Sequence, residues 1–480
     1  MGPFGLYVEV RALSPTSSSP FALVASTLID HLVQLEVSFG TIMRTKRKPT
    51  VRAQLTNGSE IQLGATAALL SVSLDRVARN LSRIAKLAIG LNLPSDALPV
   101  LWPLLHRGLP KLDELVITID SAERPQEAPE LNLEAFHALT KLRLQGVRPR
   151  ASPFVLPHLR VLALENVRVA LSQALRFEDL LSCIPCLEAV EDLTICNYLG
   201  IVGRIAPSPT RRLHSLPNLK TLRLEEHPST IRALLSHLSI PVKADVHLIA
   251  SSLYEHPENS EAFTAFLPYN TEGLPILRQA VAMNVVCATH ERTVEIVGSL
   301  GGPHVRGRIT LSMDKKVFAT ASQGPSVETL LFKQMVQSLR KIFPDTRHVT
   351  SLYLHGPLGT IAHTTWTPIL YQFPAVQRMI LRGGSPGLSI IEALMTRAPA
   401  GNMPLCPRLA EFDLEGSARD ATFLNAVAKC FEWRVDNDAQ HPLSKLTIRL
   451  FAIGPAWSLS FLTYYSKEYK RYAEIVDLKV

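Results

Sequence analysis

The sequence predicts an α/β fold of stacked strand–helix units, a solenoid whose parallel strands line one side and whose helices line the other. Three observations predict it. An apolar–x–x–apolar–x–apolar motif recurs along the chain, turn-forming prolines stand just ahead of several copies, and helix-period segments lie between them.

The motif begins as Leu32-Leu35-Val37, Ile84-Leu87-Ile89, Leu112-Leu115-Ile117 and Leu139-Leu142-Leu144. It continues as Leu159-Leu162-Leu164, Val190-Leu193-Ile195 and Leu219-Leu222-Leu224. It resumes as Val349-Leu352-Leu354, Val376-Met379-Leu381, Leu409-Phe412-Leu414 and Leu443-Leu446-Ile448. The anchors are separated by 52, 28, 27, 20, 31, 29, 130, 27, 33 and 34 residues. Most of these intervals suit one short strand plus one helix, and 52 is close to two such units. Prolines precede strands in Leu109-Pro-Lys-Leu112, Leu156-Pro-His-Leu159, Leu216-Pro-Asn-Leu219, Phe373-Pro-Ala-Val376 and Cys406-Pro-Arg-Leu409, as expected of a residue that cannot donate to a ladder. Helix-period segments fall at Phe177–Ser182, Thr230–Leu238 and Leu388–Met395. A strand–helix–strand order implies parallel pairing with right-handed crossovers. One unit cannot bury its own apolar face, so neighbours must stack.

In the long gap, Val246-His-Leu248 and Ile309-Thr-Leu311 read as strands of decayed repeats and Ser251–Asn270 as an insertion. The expected organisation is therefore one continuous solenoid: N-terminal repeats over 1–240, degenerate repeats over 241–345 and C-terminal repeats over 346–480.

Composition agrees with this reading. The chain has 480 residues, beyond the roughly 250–300 at which one compact core stops growing. It is 46% apolar and only 19% charged, which argues against a disordered chain. The net charge of +8 is dispersed rather than gathered on one segment, so nucleic-acid binding is not expected. The one basic run, Arg44 to Lys48, leaves a nuclear nucleic-acid or chromatin binder as the alternative. No run of 18 apolar residues and no secretory signal pattern is found, so an intracellular protein, cytoplasmic or nuclear, is expected.

Chemistry-bearing motifs fail on physical grounds. Gly383-Gly-Ser385-Pro386-Gly387 has the form of a nucleophile elbow, but the residue after the serine must donate a backbone N–H and Pro386 has none. Cys183-Ile-Pro-Cys186 lies at the end of a helical stretch, where the macrodipole opposes a thiolate, and no second pair completes a zinc site. The glycine-rich stretch Gly298–His304 lacks the Lys-Ser/Thr ending of a phosphate loop. No enzyme, cofactor or metal is expected.

Residues that alternate with the strand leucines point away from the core. Lys141, Arg143, Arg223, Tyr353, Arg382 and Asp413 are the candidate partner-binding residues among them. Arg and Tyr carry much of the binding energy at protein interfaces, so a protein partner on the concave strands is expected.

Leu156–Val167 (LPHLRVLALENV), Leu216–His227 (LPNLKTLRLEEH) with Leu234–Pro241, and Cys406–Gly416 (CPRLAEFDLEG) carry a resemblance. So does Trp366 followed by Phe373-Pro374 and a strand. From about residue 30 onward the chain resembles the leucine-rich-repeat region of fungal F-box proteins, particularly those of mushroom-forming fungi. The resemblance implies an irregular leucine-rich-repeat horseshoe and recruitment of substrates to a cullin ubiquitin ligase. Two features depart from the pattern. The usual turn-capping Asn or Cys is replaced by Val147, Val167, Tyr198 and His227, and the F-box that would dock a Skp-type adaptor is not recognised; Leu6–Val10 reads instead as the strand that follows such a module.

Overall fold

The computed structural model describes residues 32–38, 50–55, 60–63, 85–91, 105–106, 109–119, 130–134, 136–149, 156–165, 177–199, 213–250, 262–287, 293–301, 305–314, 327–384, 387–398, 403–416, 421–437, 443–451 and 459–479. Leu6–Val10, the basic run Arg44–Lys48 and Ser385-Pro386 lie outside them. The protein is a mixed α/β molecule with long, mostly parallel sheets. It divides into two compact units, Met1–Glu226 with His237–Ser239, and His227–Ser236 with Ile240–Val480.

The sheet of the first unit contains β1 (Leu32–Ser38), β2 (Thr50–Leu55), β3 (Glu60–Leu63), β4 (Lys86–Leu91), β5 (Glu114–Ile119), β6 (Lys141–Gln145), β7 (Val161–Glu165), β8 (Asp192–Cys196) and β9 (Thr221–Glu226). Spatially the order is β3-β2-β1-β4-β5-β6-β7-β8-β9. From β1 through β4 to β9 every pairing is parallel. β3, β2 and β1 instead form an antiparallel meander. The 52-residue interval thus holds two antiparallel strands where a further repeat strand was expected.

Leucines pair in register across this sheet. Leu87, Leu115, Leu142, Leu162, Leu193 and Leu222 form one continuous row, and Ile89, Ile117, Leu144, Leu164, Ile195 and Leu224 form the next. All twelve are at most 2% exposed. At about 25 cal/mol per Å² of apolar surface, such rows dominate the folding free energy. Each Leu-Pro-x-Leu segment closes a turn, with Leu112, Leu159 and Leu219 N–H bonded to the carbonyls of Leu109, Leu156 and Leu216. Proline occupies the second turn position, where its fixed φ belongs.

The second unit holds β10 (Asp245–Ala250), β11 (Ala282–Val286), β12 (Thr293–Ser299), β13 (Arg308–Asp314), β14 (Ser351–His355), β15 (Arg378–Gly383), β16 (Glu411–Gly416), β17 (Leu443–Leu450) and β18 (Ala473–Lys479). Their order is β10-β13-β12-β11-β14-β15-β16-β17-β18. The two strands expected near 246 and 309 are present and pair in parallel. The expectation of parallel pairing throughout needs correction here, because β12 runs antiparallel to both β11 and β13. A β11–β12–β13 meander therefore separates β10 from β14. Alternation identifies a strand but carries no information about its direction.

Described helices include α1 (Phe177–Cys183), α2 (Pro228–Leu235), α3 (Val327–Ile342), α4 (His363–Leu370), α5 (Leu388–Leu394), α6 (Ala421–Asp436) and α7 (Leu459–Tyr469). α3 to α7 pack side by side in sequence. α2 starts two residues earlier and ends three residues earlier than the expected segment, since Leu238 belongs to a two-residue parallel pairing with His214. Pro228 starts α2, His227 caps it by accepting from Ser229 N–H, and Ile231, Leu234 and Leu235 form its buried face. In α3, Leu331, Met335 and Leu339 recur every four residues and are buried.

Strand ends in the second unit converge on glycine. Gly383 and Gly416 sit opposite each other in register, and Gly356 N–H donates to Arg382 O at 2.9 Å. A Cβ on Gly383 would lie 2.3 Å from Gly356 O, and one on Gly416 would lie 2.7 Å from Gly383 O. Backbone cannot retreat as a flexible side chain can. Gly383→Ala should therefore cost about 2–3 kcal/mol in a denaturant titration. Gly384→Ala is the internal control, because its Cβ would meet nothing within 4 Å; equal midpoints for the two variants would overturn the packing argument.

Candidate functional site

Parallel, in-register strands turn the outward positions of β6 to β9 into a grid. Its middle row reads Arg143, Ala163, Thr194, Arg223. The row before it is Lys141, Val161, Asp192, Thr221, and the row after it is Gln145, Glu165, Cys196, Glu225. Long side chains stand on β6 and β9, while the middle row is short on β7 and β8. Strands lie about 4.8 Å apart, so the two arginine Cα atoms are about 14 Å from one another. The low ground between them is a solvent-open pocket of about 500 Å³.

The charges around the pocket differ in how they are used. Arg223 donates to Glu225 at 2.8 Å, and this bond holds its guanidinium charge on most strongly. Cys196 is buried on the floor; desolvation pushes its thiol up to about 11, against the pull of Arg223. It is neutral at physiological pH and is no nucleophile. Beside the pocket, Glu114 pairs with Lys141 and, at 3.6 Å, with Lys86. Among the described residues, Arg143, Glu165 and Asp192 have no ion pair.

The remaining candidates lie together in the second unit. Arg382 stands over the Tyr353 ring at 5.5 Å, and Tyr353 meets His355 edge-to-face at 6.2 Å. Arg382 Nε lies 3.3 Å from Glu415 Oε2, within ion-pair distance but without hydrogen-bond alignment. Arg449 lies 3.4 Å from Glu415 and 3.9 Å from Asp413. Asp413 Oδ1 is buried and accepts no hydrogen bond among the described residues. Six residues singled out from the sequence thus form two groups of three, Lys141, Arg143 and Arg223 on one unit and Tyr353, Arg382 and Asp413 on the other.

The pocket itself was not expected, nor were Glu165 and Asp192. The signal was present as a minimum of side-chain size, Ala163 and Thr194, at outward positions between two arginines. Choosing only large outward residues passes over it.

None of the six cysteines is in a disulfide, and five of them are buried. Among the described residues no group of three or more His, Cys, Asp or Glu side chains could hold a metal ion, and no helix is long and apolar enough to cross a membrane. Neither a family model nor a curated protein matches the chain.

One buried carboxylate fixes the turn beyond β8. Asn197 takes a positive φ of 49°, which Asn tolerates, and this aims the next two N–H groups at Glu226. Glu226 Oε1 accepts from Tyr198 N–H at 2.6 Å and Leu199 N–H at 3.0 Å. Tyr198, buried, donates in turn to Val147 O at 3.0 Å. Glu226 thereby caps the turn with two backbone hydrogen bonds. Burial pushes its pKa up to about 7; the two N–H bonds pull it down, and neighbouring Glu225 raises it. A folded-state value above the unfolded one means that stability is full below about pH 4.5 and is lost as pH rises to about 7. Glu226→Gln keeps the acceptor and removes the charge. Its melting temperature should exceed that of the unchanged protein at pH 8, by up to ~3 kcal/mol in stability, and match it at pH 5. A constant offset between the two proteins across that range would show that Glu226 does not titrate there.

Proposed function

We propose that the protein is a leucine-rich-repeat solenoid that binds another protein on the outward side of its strands, without catalysing a reaction. The observation that carries this reading is the in-register array of charged side chains on that side. Arg143, Arg223, Arg378 and Lys445 are exposed there, although each sits on a strand whose other face carries buried core residues. Rigid strands present such groups with little entropy left to lose on binding, and opposite charges interspersed at fixed spacing favour one partner over others. The parallel leucine rows and the side-by-side helices support the solenoid. In its resemblance to F-box proteins the chain fits a substrate receptor of a cullin ubiquitin ligase, with the Skp-type adaptor as the partner to test.

Capture from native lysate with mass spectrometry tests both halves. Arg143→Glu with Arg223→Glu should lose the bound protein by tenfold or more, at an unchanged melting temperature. Unchanged capture would overturn the reading. Co-capture of the adaptor and cullin would support the ligase role, and their absence would remove it. In this reading a serine-reactive probe leaves Ser385 unlabelled; labelling would overturn the non-catalytic half.

A further inference from the structure

We propose that the pocket on β6 to β9 receives a single lysine or arginine side chain of the protein partner, held between Glu165 and Asp192. This rests on the protein-binding reading above and specifies the chemistry of the occupant.

Charge decides the sign. The lining contains two arginines and three acids, but Arg223 and Glu225 satisfy one another. What remains is Arg143 against Glu165 and Asp192, a local excess of one negative charge. On the same unit, Glu114 and Glu191 are both paired with lysines. The two pocket acids have no such partner among the described residues, so they are free to receive a cation from outside.

Placement decides the occupant. Glu165 stands one row beyond the Ala163–Thr194 row and Asp192 one row before it, on adjacent strands. Two residues along a strand span about 6.6 Å, so the two residues stand about 14 Å apart at their Cα atoms, on opposite sides of the Ala163–Thr194 row. Nothing longer than Thr194 rises from the middle row there. An ammonium or guanidinium delivered over that row faces a carboxylate on each side, while its aliphatic stem lies along Val161 and Ala163. A metal ion fits poorly, because two monodentate carboxylates leave most of its coordination sphere unfilled and the pocket is far larger than an ion. Arg143, free at the wall, can meet an acidic group beside the inserted base, which would fix the orientation of the partner.

A random-peptide display library panned on the full chain is the test. Selected sequences should converge on one Lys or Arg position. Replacing that residue by norleucine in a synthetic peptide should weaken binding about tenfold, as loss of charge-assisted bonds does. Against a Glu165→Gln/Asp192→Asn variant, nearly isosteric and so expected to fold, the same replacement should change affinity less than twofold. Convergence on acidic or wholly apolar peptides, no convergence, or equal loss on both proteins would overturn the proposal. Lysate capture with the same variant separates the two readings. If reversal of Arg143 and Arg223 abolishes capture and the Gln/Asn variant does not, the basic clamp falls while protein binding stands. If neither variant affects capture, both fall.

Discussion

The structure depends on one recurring backbone contact, the carbonyl that precedes each strand and is shared by the first N–H groups of the next. Asp113 O accepts from Thr140 and Lys141, Thr140 O from Arg160 and Val161, Arg160 O from Glu191 and Asp192, and Glu191 O from Lys220 and Thr221. Thr350, Gln377 and Ala410 repeat the device in the second unit. Because side chains alternate along a strand, a slip of one residue would expose every leucine and bury every charge. The shared carbonyl marks that register at the entry to the strands, and burial of the leucine rows holds it. Register then fixes both the apolar rows and the charged grid opposite them, so the core and the candidate site are two results of one constraint.

This explains which features were legible in the sequence. Leu156–Glu165 could be read correctly because turn, anchor and alternation are all local: Pro157 sets the turn, Leu159 fills the core and Leu162 and Leu164 face inward. The meander of β11 to β13 could not, because strand direction is decided by which edge a segment meets, and Met283 and Val285 look alike either way. Glu226 was hidden for a related reason. Its partners lie 27 and 28 residues earlier, and no local pattern marks a carboxylate that caps the preceding turn. Of the site, the outward identity of Arg143, Arg223, Tyr353 and Arg382 was legible from alternation alone. The pocket between the two arginines was not, since it exists only when four separate strands are laid side by side in register.

Turns at strand ends leave backbone groups open, and two buried polar side chains of this protein satisfy them. In the turn after β8, Glu226 accepts from the N–H groups of Tyr198 and Leu199. Where Cys406 adopts a positive φ of 49°, unusual for a residue with a Cβ, Arg434 of α6 donates to Leu405 O at 2.7 Å and Cys406 O at 2.8 Å. Burial lowers the pKa of Arg434, yet an arginine so far above neutrality keeps its charge. The same burial raises the thiols of Cys406 and Cys430 to about 12, so the charge meets no thiolate there. It is balanced by carbonyl dipoles and by the C-terminal end of its own helix. Both charged groups satisfy backbone atoms that the motif leaves open, which accounts for polar residues in otherwise apolar surroundings without assigning them to a binding site.

The two outward faces differ in how strongly their charges are already committed. In the second unit, Arg382 is held between the Tyr353 ring and Glu415, and Glu415 also faces Arg449. A partner arriving there must compete with existing contacts, although the side chains it meets have little conformational freedom left to lose. In the first unit, Arg143, Glu165 and Asp192 have no ion pair among the described residues and surround a floor of small residues. Binding there adds ion pairs without breaking any, and desolvation is limited because the pocket stays open to water. Exposed pairs of this kind contribute little individually, typically below about 1 kcal/mol. Affinity must therefore come from several contacts made at once, and the fixed row and strand spacing of the grid determines which partner can make them together.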